Sequence, residues 1–467
     1  MSAKTKTIWT FVITSVALFM VTLDNLVVTT AIPVIRKDLN ASLEDLEWTV
    51  NAYTLTFAVL LLTGAALGDR FGRRRVFALG IGVFTLGSIA AALAPNVEAL
   101  NLARALQGLG GAIVMPLTLT ILSAAVPKER RGLALGAWGG ISGLAVAFGP
   151  VVGGAVVQGL SWQWIFWLNV PIGVLLIPLA LSRLQETFGP GGRLDLVGLG
   201  LASAGLFGIV WALIQGNGRG WTSPEIVASL AIGLALVAAF VAWELRTAAP
   251  MLPMRFFRKP AFALANVSSL FMFFGMFGSI FLLSQFFQTV QGYSPLGAGL
   301  RILPWTLAPM FISPLAGALS DRIPGKTLVG IGLSLQAISL AWMGLVTTPT
   351  VAYSALIAPF TLAGIGMSLF FAPMANIVLS AVRPEEEGQA SGANNAVREL
   401  GGVFGVAVLA SVFITWGGYE SAQAFTDGMN PALIIGGVVV GLGALAAFAI
   451  PGRPQQTEAA VPLVEAA

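Results

Sequence analysis

The stretch Val21-Thr22-Leu23-Asp24-Asn25-Leu26-Val27-Val28-Thr29-Thr30-Ala31-Ile32-Pro33-Val34-Ile35 closes a run of about 28 mostly apolar residues that starts at Ile8. A helix of that length exceeds the ~20 residues needed to cross a bilayer. Asp24 falls too deep in the run to sit at headgroup level. A carboxylate at the centre of a membrane helix costs about 2.5–3.5 kcal/mol on insertion scales, so it marks working chemistry or a pairing partner on a neighbouring helix. Either reading requires more helices around the first.

The rest of the chain supplies them. Of its 467 residues 56% are hydrophobic and 10% charged, and the mean hydropathy is +0.86. Soluble domains carry about 25% charged residues, so the chain reads as an all-α polytopic membrane protein. Cysteine and histidine are both absent. That excludes disulfides, thiol nucleophiles and the commonest metal ligand, and leaves Asp and Glu to carry protons at work. The net charge of +4 comes from basic residues scattered over short loops, which read as topology signals and not as a nucleic-acid surface. The first span is too long for a signal-peptide core and is expected to stay.

Apolar runs occur at 8–35, 48–67, 76–94, 98–126, 132–159, 164–182, 196–215, 224–243, 260–290, 297–319, 327–346, 351–381, 389–416 and 431–450, fourteen in all. With a cytoplasmic N-terminus, nineteen of the 25 lysines and arginines fall on the inside, three on the outside, and Arg104, Arg301 and Arg398 within spans. That asymmetry supports the count and places both termini in the cytoplasm of a cell inner (plasma) membrane protein.

A repeat organises the spans. Gly64-x-x-x-Gly68-Asp69-Arg70-x-Gly72-Arg73-Arg74-Arg75 has a weaker echo at Asp321-Arg322, and the two Asp-Arg pairs lie 252 positions apart. Gly140, Gly149 and Gly153 recur at Gly392, Gly401 and Gly405 with the same offset of 252. Two unrelated motifs sharing one offset imply parallel halves of six helices, with the substrate site between them near mid-membrane. The expected domains are 1–183 (first six-helix bundle), 184–259 (inserted helix pair and linkers), 260–450 (second bundle) and 451–467 (disordered cytoplasmic tail).

In the first motif the glycines permit close approach and a tight turn, and Asp69 suits a helix cap or a bond to a neighbouring helix end. Its arginines serve as an anchor facing the cytoplasm or as a latch released in one conformational state. Gly140, Gly149, Pro150, Gly153 and Gly154 give the fifth span a small-residue face with one bend, suited to tight packing or sliding. Arg104 lies about two turns into a span entering from outside and Asp24 about three turns from the outer end of the first. Their depths differ by roughly 5–10 Å, so they can meet directly, or through water and Gln107, as a proton switch. Glu399 is a second deep acid, coupling or structural; Arg398 beside it points about 100° away along the helix. Arg301 reads as a snorkelling anchor. The ninth span offers rings and amides; most of the rings are expected against lipid or neighbouring helices, and a face that lines the cavity, with Asn25, Gln107, Phe274, Phe277, Phe281, Gln285 and Gln288, would suit large apolar or aromatic ligands. The spans hold no nucleophile–base constellation, metal cluster or phosphate-binding loop, against an enzyme or ATP drive.

With these residues quoted, the chain resembles the major facilitator superfamily, and within it the fourteen-helix drug/proton antiporter branch typified by QacA and EmrB. Gly64 to Arg75 resembles motif A, Arg104-x-x-Gln107-Gly108-x-Gly110-Gly111 motif B, and Gly140-x8-Gly149-Pro150-x-x-Gly153-Gly154 the motif C of antiporters. Leu23-Asp24-x-x-Val27-Val28-x-x-Ala31-Ile32-Pro33 is similar to the first-helix motif of that branch. The resemblance implies proton coupling through Asp24 and Arg104, gating by motif A and alternating access by rocking halves. It implies a monomer that needs no cofactor and takes a small amphiphile, protons and the bilayer as its partners. Spans nine and ten lack the extra acid that some relatives use for dications. Lipophilic monocations, neutral amphiphiles or a natural-product antibiotic are therefore the expected cargo, and a lipid or specific metabolite is the alternative. Asp24 is expected to accept substrate when deprotonated and to release it when protonated from outside.

Overall fold

The structure, a computed structural model, describes residues 3–126, 131–189, 194–319, 322–383 and 386–451. Asp321 of the repeated motif and most of the expected tail, 452–467, lie outside the described residues. Among the described residues there are sixteen α-helices and no strand. They are α1 (Ala3–Asp38), α2 (Leu43–Phe71), α3 (Arg73–Ala92), α4 (Val97–Ala125), α5 (Arg131–Gly159), α6 (Trp164–Trp167), α7 (Asn169–Arg183) and α8 (Leu196–Arg219). Then follow α9 (Pro224–Glu244), α10 (Pro260–Gln285), α11 (Pro295–Thr306), α12 (Ala308–Leu319), α13 (Gly325–Val346), α14 (Tyr353–Ser380), α15 (Glu387–Trp416) and α16 (Ala422–Phe448). Because α6–α7 and α11–α12 each continue one apolar run, the sixteen helices make fourteen apolar segments among the described residues, thirteen of them long and apolar enough to cross a membrane.

Short polar connections stop and start the helices. Ser42 forms a reciprocal capping box with Asp45, and the side chains of Asn96, Asp195, Ser223, Ser294 and Ser421 accept from the backbone N–H three residues on. Gly72, with φ +100°, makes the one-residue turn between α2 and α3.

The structure departs from the hydropathy reading at three helices. The tenth crossing breaks at Leu307, because Pro309 has no N–H to give to Trp305 and its ring crowds that carbonyl. The last helix begins nine residues before the expected 431: Ser421 caps it, and Pro431 is accommodated inside it. The end of α10 widens into a π turn over Phe286–Val290.

In the first half α1 packs on α4 and α5, α2 on α4, and α3 on α4 and α7; in the second α10 packs on α15 and α16, and α13 on α14 and α16. The halves meet along α5 with α11 and along α2 with α15. The pair α8–α9 packs on itself, and α8 rests against α2 and α15. The end holding Arg70 to Arg75 and Arg183 is called the basic end, and the opposite one the far end. At the far end the Ser284 hydroxyl donates to the Thr29 carbonyl (2.9 Å), the Gln288 amide to the Thr30 carbonyl (3.0 Å), and the Arg36 guanidinium lies 3.5 Å from the Tyr419 ring. A Cβ on Gly154 would stand 2.7 Å from the Leu296 Cα, so the backbones of α5 and α11 touch there. Contact reaches mid-helix, where Thr306 donates to the Ala147 carbonyl at 3.1 Å. Nearer the basic end, Gly140 and Gly143 face no described atom within 4 Å. Along this seam the halves are in close contact at the far end and at mid-helix.

Candidate functional site

Residues Ala17, Met20, Val21 and Asp24 share one face of α1, and the three apolar ones enter the core that α1 forms with α2, α3, α4 and α7. Asp24 is therefore turned into the first half, with no side-chain exposure. Arg104 of α4, 1% exposed, donates from Nη1 to Asp24 Oδ2 and also to Gln107 Oε1 (2.8 Å). The Asn169 amide at the start of α7 donates to Asp24 Oδ1 at 2.7 Å, and the Gln107 amide does so at 3.1 Å. Gln107 also bonds Ser88 of α3 (2.7 Å), and Arg104 Nε donates to the Thr49 carbonyl of α2 (3.2 Å). Tyr53 covers the guanidinium with its ring at 4.3 Å, and Phe166 stands behind it at 5.7 Å. Every oxygen of Asp24 has a donor, which is how a buried ion pair avoids an uncompensated desolvation cost. Neutralising either partner breaks a network that ties five helices together.

The sequence expectation that Asp24 and Arg104 meet corresponds to this pair. Gln107, expected in the cavity, is instead fully buried inside the same cluster, because the helical turn from Arg104 places both on one face. Asn25, about 100° round α1 from Asp24, shares a face with Thr22 and Thr29, and Thr29 touches α10 of the other half. The Asn25 Oδ1 is buried without a partner.

Arg398 and Glu399 have separate surroundings. Arg398 stacks 4.3 Å from the Phe273 ring and 5.3 Å from Phe371, and donates to Asn395 Oδ1 at 3.1 Å. Glu399 Oε2 is buried with no partner. Phe274, Phe277, Phe281 and Gln285 are buried, Phe274 and Phe277 behind Gly405 and Gly402 of α15, and Gln285 accepts from the Tyr419 hydroxyl. Gln288 spans to α1 through Thr30. Of these side chains only Gln288 crosses to the first half; Phe274, Phe277 and Gln285 pack against elements of their own half and do not line an open chamber. Arg301 lies over Tyr293 (3.3 Å) and bonds the Gly297 carbonyl.

At the basic end Gly64 and Gly68 let α4 approach α2. Asp69 pairs with Arg73 at 2.8 Å, and Glu186 accepts from the Arg74 backbone N–H (2.9 Å) while lying 3.4 and 3.5 Å from the Arg74 and Arg75 side chains. Thr187 and Gly189 complete the clasp through backbone bonds to Arg73 and Asp69. Arg70 packs over Phe71, and Arg322 is exposed. On α5, Gly149 and Gly153 accommodate Leu26 and Val27 of α1, while Pro150 and Gly154 meet Gly299 and Leu296 of α11. Small residues on two faces make α5 a wedge between halves, and a Cβ on Gly140 would meet no described atom within 4 Å.

Sequence reasoning missed Asn169, Ser88, Tyr53, Glu186 and Glu47. The first three are ordinary polar residues whose value lies only in what they face. Glu186 sits in a linker, and Glu47 lies so near the helix start that it reads as a first-turn acid.

The arrangement defines a helical carrier of two halves with a buried ion pair in one of them. Comparison with known proteins agrees. The profile of the Major Facilitator Superfamily matches residues 14–406 and again 265–465. The chain is 34% identical over 452 residues to multidrug resistance protein Stp of Mycobacterium tuberculosis (strain CDC 1551 / Oshkosh), covering 92% of this chain and 83% of that one. It is 33% identical to the tetracenomycin C resistance and export protein of Streptomyces glaucescens, covering 86% and 74%. The structure of a bacterial homolog of the human lysosomal transporter Spinster superposes with a TM-score of 0.67 at 17% identity, over 95% of this chain and 96% of that chain. The chain belongs to the major facilitator superfamily and is a multi-pass membrane transporter of the efflux type.

Proposed function

We propose that the protein exports amphiphilic drugs or antibiotics, monocationic or neutral, in exchange for protons, with the basic end in the cytoplasm. The single observation that carries the proton coupling is the buried pair of Asp24 and Arg104, closed off from solvent and fully hydrogen-bonded, in a chain without histidine. Asp24 holds α4 and α7 to α1 while ionised. Protonation removes the charge that Arg104 pairs with and loosens α1, whose neighbouring Asn25 faces the other half. Substrate therefore reads the state of Asp24 through α1 and need not touch the carboxylate. Asp69 and the arginines beside it would serve as the cytoplasmic gate, and in this state they are held by Glu186 of their own half. The names of the relatives support drug or antibiotic cargo, and a complete pair of halves supports action as a monomer.

The test uses purified protein in liposomes loaded with ethidium, tetraphenylphosphonium or puromycin under an imposed pH gradient. Transport driven by the gradient and abolished in Asp24→Asn is expected. Gradient-driven transport at the parental rate in Asp24→Asn would overturn the proposal.

A further inference from the structure

Glu47 occupies the second turn of α2, about 6 Å along the axis from the far-end start of that helix. Its side chain is buried, with 2% exposure for the residue, and its Oε2 has no hydrogen-bond partner. Asn51, one turn deeper on the same face, is wholly buried, with neither side-chain atom partnered. Buried polar atoms are paired in more than about 90% of cases, so consecutive orphans on one helix face mark a place where water or a proton is accommodated.

The groups around Glu47 come from both halves. Glu44 lies one turn back on α2, and across the seam Tyr419, in the α15–α16 connection, stands within electrostatic reach. Tyr419 is held by Gln285 of α10 and by Phe413 and Phe425, and the Arg36 guanidinium covers its ring. Arg36 belongs to the first half and Tyr419 to the second, so their stack exists only while the far end is closed. Its charge is spent on that ring and forms no ion pair with Glu47. Closure thus buries a carboxyl whose surroundings offer another acid and a phenol. An unpaired carboxylate in such a place is far more costly than a neutral acid.

We propose that Glu47 is a second proton-binding group of this transporter, taking up its proton from the outer water as the far end closes over it. The proposal rests on the proton-exchange reading given above. The proton binds to a carboxylate oxygen exposed in the outward-open state. Closure of the Arg36–Tyr419 stack traps it, and Asn51 marks the first step of its onward path toward mid-membrane. Proton binding and far-end closure then favour each other, as linkage requires.

Because the native chain has no cysteine, spin labels on Leu160→Cys and Thr350→Cys, in exposed far-end connections of opposite halves, report the far-end distance in liposomes by electron–electron resonance. The expected result is a short-distance population that grows as pH falls in the parent protein. In Glu47→Gln it should be present at every pH, while Glu47→Asp should retain a titration with a shifted midpoint. A parental pH response in Glu47→Gln, or no pH response in the parent, overturns the proposal. If Glu47→Gln fails to fold, an unshifted midpoint in Glu47→Asp overturns it. Loss of gradient-driven transport in the parent, with the Glu47-dependent distance response intact, would instead sink the exchange reading and leave this site standing.

Discussion

At the scale of single residues, the buried pair is valuable because breaking it costs more than making it contributes. Removing one member of a buried ion pair leaves an uncompensated charge, at a cost of about 3–5 kcal/mol. Arg104→Ala is therefore expected to unfold at markedly lower temperature in detergent. The double variant Asp24→Asn, Arg104→Gln should be more stable than Arg104→Ala, because it leaves no charge behind. Equal melting temperatures for the two would contradict the account. Asn169→Ala removes one donor to the carboxylate and is expected to cost about 1.5–3 kcal/mol, read as a smaller shift in the same assay.

Between elements, two contacts set how the halves move. The first is the close approach of α5 to α11 at Gly154, where a Cβ would stand 2.7 Å from the Leu296 Cα. Gly154→Val inserts atoms there and is expected to destabilise the far-end-closed state by about 1–3 kcal/mol. A far-end distance population that lengthens measures this, whereas an unchanged distribution speaks against the wedge. The second contact is at the basic end, outside the spans. Glu386 accepts from Arg383 (2.7 Å) and pairs with Arg255 of the α9–α10 connection (2.8 Å). The Arg383 hydrogen bond, aided by the charges of Arg383 and Arg255, holds its carboxyl down from 4.5 to about 2. A depressed acid contributes stability above its ordinary value and loses it as pH falls through the depressed one. Protection of the α9–α10 connection against hydrogen exchange, taken relative to the intrinsic rate at each pH, should persist at pH 5 and fall between about 4.5 and about 2. In Glu386→Gln it should be low throughout.

For the whole molecule, the proposed orientation is the main consequence. The excess of basic residues at one end is what supports the proposal that this end lies in the cytoplasm. An impermeant maleimide should label Thr350→Cys in intact cells and Arg258→Cys only after permeabilisation. The reverse pattern would invert the proposed direction of transport. The apolar helices were readable because hydrocarbon imposes a length on every one of them. The split of the tenth crossing and the early start of the last were not, because a proline weakens a helix by amounts that neighbours decide to tolerate or not.

The sequence by itself determined the class of protein, the apolar helices, the deep acid at Asp24 and its candidate cation at Arg104, since each follows from what a single segment pays in lipid. Only the tertiary structure decided which face of α1 the carboxylate takes, that Asn169, Ser88 and Tyr53 complete its surroundings, and that Glu47 is buried while Arg36 stacks on Tyr419 across the halves. Those facts depend on helix rotation and on contacts between residues separated by much of the chain. Hydropathy is a sum over neighbours in sequence and is blind to both.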